Sequence, residues 1–150
     1  MRLMALDIGE RRIGIAVSDS GILATPYSVL QRKSKQEDFS RLGRLLAELK
    51  IERVIVGLPY SLSGPEKVGP QARRVKRYAK ALAATVPIPF EYFDESYSTV
   101  YAAAFLASTG QKKVPLDAAA AAVILQNYLD SIKNNPANQG KAGEMSKRDG

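Results

Sequence analysis

The stretch that most constrains this chain is its opening, Arg2 to Asp19, RLMALDIGERRIGIAVSD. Leu3, Met4, Ala5 and Leu6 form an unbroken apolar run, the pattern of a strand covered on both faces. That run delivers one carboxylate, Asp7, at its C-terminal end. Gly9 and Gly14 then bracket a polar turn, and Ile13, Ile15 and Val17 alternate with Gly14, Ala16 and Ser18. The pattern is a hairpin with an acid at the mouth of a sheet. A carboxylate at the end of a buried strand is costly unless something compensates it, and a bound cation is the usual compensation.

The rest of the chain alternates strand and helix signals. Ala24 to Gln31 reads as a third strand, antiparallel to the second and near an edge because of Pro26. From Glu37 to Lys50, Phe39, Leu42, Leu45, Leu46 and Leu49 fall on one helical stripe. Arg53 to Gly57 is a short buried strand, parallel to the first because a helix separates them. Leu58 to Pro70 is a loop rich in Gly, Pro and Ser. The spacing of Ala72, Val75, Ala79, Leu82 and Val86 predicts a helix from about Gln71 to Thr85. Phe90 to Phe93 is a fifth strand running into Asp94 and Glu95, and Ser96 to Ser108 reads as a helix. Pro115 sits where the last helix, Leu116 to Ile132, would begin. Its small residues Ala118 to Ala122 let a helix backbone approach the sheet closely.

Residues 1–133 therefore read as one α/β domain. It has a five-stranded mixed sheet flanked by helices, with an antiparallel three-stranded start and two parallel additions, an order that suits an RNase H-like fold. Residues 134–150 lack periodicity and are expected to be a disordered tail.

Composition narrows the chemistry. The chain contains no Cys and no His, which excludes disulfides, thiolate zinc sites, thiol nucleophiles and imidazole catalysis. Hydrolytic chemistry must then rest on carboxylates, hydroxyls, Lys or a metal. Lys and Arg number 22 against 15 Asp and Glu, an excess that favours a polyanionic partner. No apolar run approaches the roughly 20 residues of a membrane span, and no signal-peptide pattern opens the chain, so a cytoplasmic location is expected.

Three acids occupy similar places in this architecture. Asp7 ends strand one, Glu95 follows strand five, and Asp117 lies in the first turn of the last helix. If strands one and five run parallel, their C-terminal ends share the edge where open α/β sheets bind ligands. Taken singly, each acid has an ordinary reading, as a turn residue, a loop acid or a first-turn helix acid. Together, with no His or Cys, they specify a hard cation, Mg²⁺ or Mn²⁺. Two such ions about 3.5–4 Å apart would clamp the attacking water and the leaving oxygen of a phosphodiester. Asp19 and Asp94 read as hairpin and turn acids, with an outer-shell place open to either. Arg12, one of two Arg in the turn beyond Asp7, is placed to hold a phosphate or to neutralise the carboxylates. Arg73, Arg77 and Lys80, with Arg74 and Lys76, form a basic flank on their helix, and Lys112 and Lys113 lie beside Asp117 in sequence. These are the expected nucleic-acid contacts. Tyr60, Tyr97 and Tyr101 are candidates for stacking on unpaired bases.

Four blocks carry a family resemblance. They are Asp7-Ile-Gly-Glu-Arg-Arg-Ile-Gly14 with Ser18-Asp19; Val56-Gly-Leu-Pro59 with Ser63-Gly64 and Gly69-Pro-Gln-Ala72; Asp94-Glu95 with Ser98-Thr99; and Asp117 to Gln126 with Tyr128-Leu-Asp130. In this order and spacing the chain resembles the YqgF (RuvX) family of pre-16S ribosomal RNA nucleases, also described as Holliday junction resolvase-like. The resemblance implies an RNase H-like fold and a divalent-metal nuclease acting on nucleic acid, structured RNA or branched DNA, with the acidic roles at Asp7, Glu95 and Asp117. One departure is Ser96, where the family usually has Arg; Ser cannot supply that charge to a phosphate or carboxylate. The expected role is processing of the 5′ end of pre-16S rRNA in ribosome biogenesis. Resolution of four-way DNA junctions is the alternative, and it would normally call for a dimer. A nucleotide-binding ATPase domain and a non-catalytic RNA-binding factor stand behind these two. Monomer and homodimer both stay open.

Overall fold

The computed structural model describes residues 1–59, 69–94 and 114–134. At its centre is β1 (Leu3–Ile8), paired antiparallel with β2 (Arg12–Ser18) on one side and parallel with β4 (Arg53–Leu58) on the other. Outside these lie β3 (Thr25–Gln31), antiparallel to β2, and β5 (Phe90–Asp94), parallel to β4. The order β3-β2-β1-β4-β5 is the mixed sheet the sequence predicts. Pro26 of the edge strand β3 pairs with Ala16 of β2 beside the register shift that falls between Ile15 and Ala16, where the ladder tolerates a residue without an N–H.

Period-two alternation splits β1 between two cores. Met4, Leu6 and Ile8 pack with Leu42 and Leu46 of α1 (Lys35–Glu48) and with Val75, Tyr78 and Leu82 of α2 (Pro70–Ala83). Leu3 and Ala5 pack with Ile124, Leu125, Tyr128 and Leu129 of α3 (Leu116–Asn134). Leu42 and Leu46 are almost wholly buried, each contributing about 1.5–3 kcal/mol of transfer free energy. Helix α1 starts two residues before the expected Glu37, because Ser34 caps it and accepts the Glu37 N–H at 3.1 Å. Helix α2 ends two residues before the expected Thr85. The Thr85 hydroxyl donates back to the Leu82 carbonyl at 2.7 Å, and its N–H does so at 2.9 Å, closing the last turn. Helix α3 runs through Asn134, so the boundary expected at 133 falls inside its last turn.

Two buried carboxylates join the layers. Glu91 on β5 takes the Arg53 guanidinium of β4 at 2.6 Å and the Tyr128 hydroxyl of α3 at 3.1 Å. Asp38 in the first turn of α1 takes Arg41 at 3.0 Å, the Lys33 N–H at 3.0 Å and the Tyr78 hydroxyl of α2 at 3.1 Å. Burial, then the Asp38 charge, pushes the Tyr78 hydroxyl upward from its ordinary range. The helix expected over 96–108, the loop residue Tyr60, and residues 135–150 lie outside the described residues. Among the described residues no helix is long and apolar enough to cross a membrane.

Candidate active site

The site is built on the pairing of Asp7 with Gly14 across the β1–β2 hairpin. Asp7 follows Leu3 and Ala5 in the phase that faces α3. Gly14 has no side chain, and the first turn of α3 lies directly on it: a β-carbon there would overlap the Asp117 carbonyl group. This is the close approach that the run Ala118–Ala122 makes possible: all five of these alanines are buried, and Ala121 and Ala122 pack with Leu3, Ala5 and Ala16 of the sheet. The docked turn brings Asp117 beside Asp7. Burial first, and the Asp117 charge second, push the Asp7 carboxyl up from 3.8 to about 6. No hydrogen-bond donor among the described residues offsets either cause.

Arg12 answers one of the two acids. Its Nε lies 2.9 Å from Oδ2 of Asp117, and the turn that carries it is closed by the Gly9 N–H donating to the Arg12 carbonyl at 2.8 Å. In this arrangement Arg12 neutralises a carboxylate, one of its two expected roles. Asp7 keeps no such partner among the described residues.

β1, β4 and β5 are parallel, so their C-terminal ends share one sheet edge. Through the paired registers Asp7 stands level with Gly57 and Phe93, and β5 ends one residue further on at Asp94. Two strand spacings, about 10 Å, separate β1 from β5. Glu95 lies outside the described residues, so the expected three-acid set is described at Asp7 and Asp117. Among the described residues no group of three acids gathers for a metal. Asp19 has no outer-shell place: it follows Ser18, which pairs with Leu3 at the opposite end of β1, and it lies 3.9 Å from Arg2.

Arg73, Arg77 and Lys80 are exposed on α2, as the sequence predicts. Arg74 of the same flank is held by Glu10 of the β1–β2 turn at 2.8 Å. Lys112 and Lys113, like Tyr97 and Tyr101, lie outside the described residues. Sequence reasoning missed Arg32 and Lys35, which line a hollow with α2. The basic run Arg32-Lys-Ser-Lys35 after β3 was the available signal.

A mixed sheet of this order, with Asp7 and Asp117 meeting at its C-terminal edge, is the RNase H-like arrangement the sequence predicts. Residues 1–131 match the family described as RuvX, Holliday junction resolvase. A protein of Chloroflexus aurantiacus named "Putative pre-16S rRNA nuclease" is 39% identical over 139 residues, covering 89% of this chain and 90% of its own length. A protein of the same name from Thermoanaerobacter pseudethanolicus is 39% identical over 140 residues, covering 89% and 99%. The chain belongs to the RuvX family. Its fold is similar to RuvC of T. thermophilus, solved in complex with a Holliday junction substrate, with a TM-score of 0.60 over 97% of this chain and 100% of that one at 17% identity.

Proposed function

We infer that this nuclease is divalent-cation-dependent and acts on the 5′ end of precursor 16S ribosomal RNA, with Asp7, Glu95 and Asp117 as its catalytic, metal-holding acids. The observation that carries the reading is the meeting of Asp7 and Asp117 at the sheet edge with no donor to relieve Asp7. A half-buried carboxylate beside a second acid is an oxygen-donor set that fits Mg²⁺ or Mn²⁺. When bound, two such ions would polarise the phosphoryl oxygens and make water a nucleophile at neutral pH without a histidine base.

The chain's own residues do the rest. Asp7 and Asp117 supply anionic oxygens fixed by the β1–β2 hairpin and the first turn of α3. Arg12 neutralises Asp117 through its 2.9 Å ion pair until a cation takes its place, and stands ready to turn to a phosphate. Arg73, Arg77 and Lys80, with Lys112 and Lys113, hold strand phosphates without reading sequence. The RNA reading is supported by the names of the 39% identical relatives, and such a substrate implies a cytoplasmic site of action. The family's description favours a second reading, cleavage of four-way DNA junctions, which calls for a homodimer presenting two sites.

The test is cleavage of matched precursor-rRNA and four-way-junction substrates with Mg²⁺, Mn²⁺ or chelator. Metal-dependent cutting of the RNA by the wild type and loss of cutting with retained binding by Asp7→Asn are expected. Cutting of the junction alone would replace the RNA reading with the second one. Equal activity of Asp7→Asn would remove Asp7 from the site.

A further inference from the structure

Across the β1–β2 turn from Asp7, on the α1/α2 side of the sheet, lies a cavity of about 210 Å³. The turn, the residue after β3, the start of α1 and α2 from Gln71 to Tyr78 line it, and it opens to solvent. Four of its lining residues are cationic, Arg32, Lys35, Arg74 and Arg77, against one carboxylate, Glu10. Glu10 is taken up by Arg74 at 2.8 Å. Among the described residues Lys35 and Arg77 have no acidic partner.

Arg32 is fixed in place before any ligand arrives. Its Nη1 donates to the Gly9 carbonyl at 2.7 Å, its Nε lies 4.0 Å from Oδ2 of Asp38, and its guanidinium carbon sits 4.3 Å from the centre of the Tyr78 ring. Asp38 stands behind this wall, already engaged at 3.0 Å by Arg41. One carboxylate shared between two guanidiniums leaves the wall positive. A guanidinium held this way loses little side-chain freedom on taking an oxyanion.

The cavity also has a definite relation to the acids. Ile8 and Gly9 line it and follow Asp7 directly, so its wall begins within about 7 Å of the Asp7 Cα. Ile8 packs on the α1/α2 side, whereas Asp7 meets Asp117 on the α3 side. A strand held at the acids reaches the cavity by crossing the turn.

We propose that this cavity is a second phosphate-binding site, in which Arg32, Lys35 and Arg77 hold a phosphate of the nucleic-acid strand that is cut at Asp7 and Asp117. The proposal rests on the nuclease reading above and adds a subsite on the opposite face of the sheet edge. An internal phosphodiester and a terminal phosphate present the same oxyanion chemistry to it.

The test uses the full chain with chelator present, so that no cation bridges the carboxylates. A short single-stranded RNA is prepared with a 5′-phosphate and with a 5′-hydroxyl. Its affinity is measured against salt for the wild type, for Lys35→Ala/Arg77→Ala, and for Arg44→Ala, which removes an exposed cation of α1 outside the cavity. The double variant is expected to bind about tenfold more weakly, with a salt slope lower by about one to two, while Arg44→Ala follows the wild type. Equal losses on both strands assign an internal phosphodiester, and a loss confined to the 5′-phosphorylated strand assigns the terminal phosphate. If the double variant matches Arg44→Ala while the wild type still cuts RNA with Mg²⁺, the cavity proposal alone is overturned. If the wild type neither binds nor cuts nucleic acid, the nuclease reading falls with it.

Discussion

Replacing Asp7 by Asn should stabilise this protein while abolishing its activity, and the size of the effect follows from the site. The folded carboxyl is raised from 3.8 to about 6 by burial and by Asp117. At about 1.4 kcal/mol for each tenfold change in acidity, the ionised form is disfavoured by about 3 kcal/mol in the folded state. The folded protein therefore holds a proton that the unfolded chain has released, and stability is lost as pH rises from about 4 to 6. Below about pH 3 both states are protonated and nothing is lost; above pH 7 the loss is complete. Asn carries no charge to desolvate, but it buries an amide without a partner and gives back part of the gain. The expected outcome in chelator is a gain of about 1–3 kcal/mol for Asp7→Asn at pH 8, or roughly 3–10 °C in Tm for a domain of this size. Near pH 3 the gain should vanish. The assay is urea or thermal unfolding of both proteins across this range, where other carboxylates cancel in the difference. Adding Mg²⁺ should then raise the wild-type Tm and leave Asp7→Asn nearly unmoved, because only a state that binds the ion is stabilised by it. A variant less stable than wild type at pH 8, or a difference independent of pH, would refute the argument that Asp7 is a buried, uncompensated acid.

Three further outcomes follow from named contacts. Gly14→Ala places a methyl group against the Asp117 backbone, so α3 must shift; a loss of about 2 kcal/mol or more and of cleavage together is expected in denaturation and nuclease assays. Asp38→Ala leaves Arg41 and Tyr78 without their buried partner and should cost about 3–5 kcal/mol in urea unfolding, while the far-UV spectrum of the folded protein stays native. Arg12→Ala frees Asp117 from its competing cation, so Ca²⁺ should bind several-fold more tightly by calorimetry while RNA affinity in chelator falls; weaker Ca²⁺ binding would show that Arg12 builds the acid pair rather than competing for it.

The strands and helices were legible because their signals are local. The apolar run of β1, the stripe of α1 and the position of Pro26 each depend on neighbours a few residues away, and the structure keeps all three. The carboxylates were legible as residue types at element ends, and the absence of His and Cys left them as the groups to which a hydrolytic site would fall. What sequence could not supply was contact across the sheet. That Gly14 is a seat for the Asp117 backbone depends on how far α3 sinks onto the hairpin, which the alanines permit but do not specify. Nothing along the chain marks Asp38 as buried; it is, because α2 closes over it with Tyr78. Arg32 and Lys35 read as a polar connection and become one wall of a cavity, because their partners lie more than thirty residues away in α2. Periodicity and residue chemistry are set by bonds along the chain, so the sequence by itself determined the layers and the kind of site; the meeting of charges depends on through-space packing of distant segments, so the weakened acidity of Asp7 and the basic hollow beside it were decided only when the chain folded.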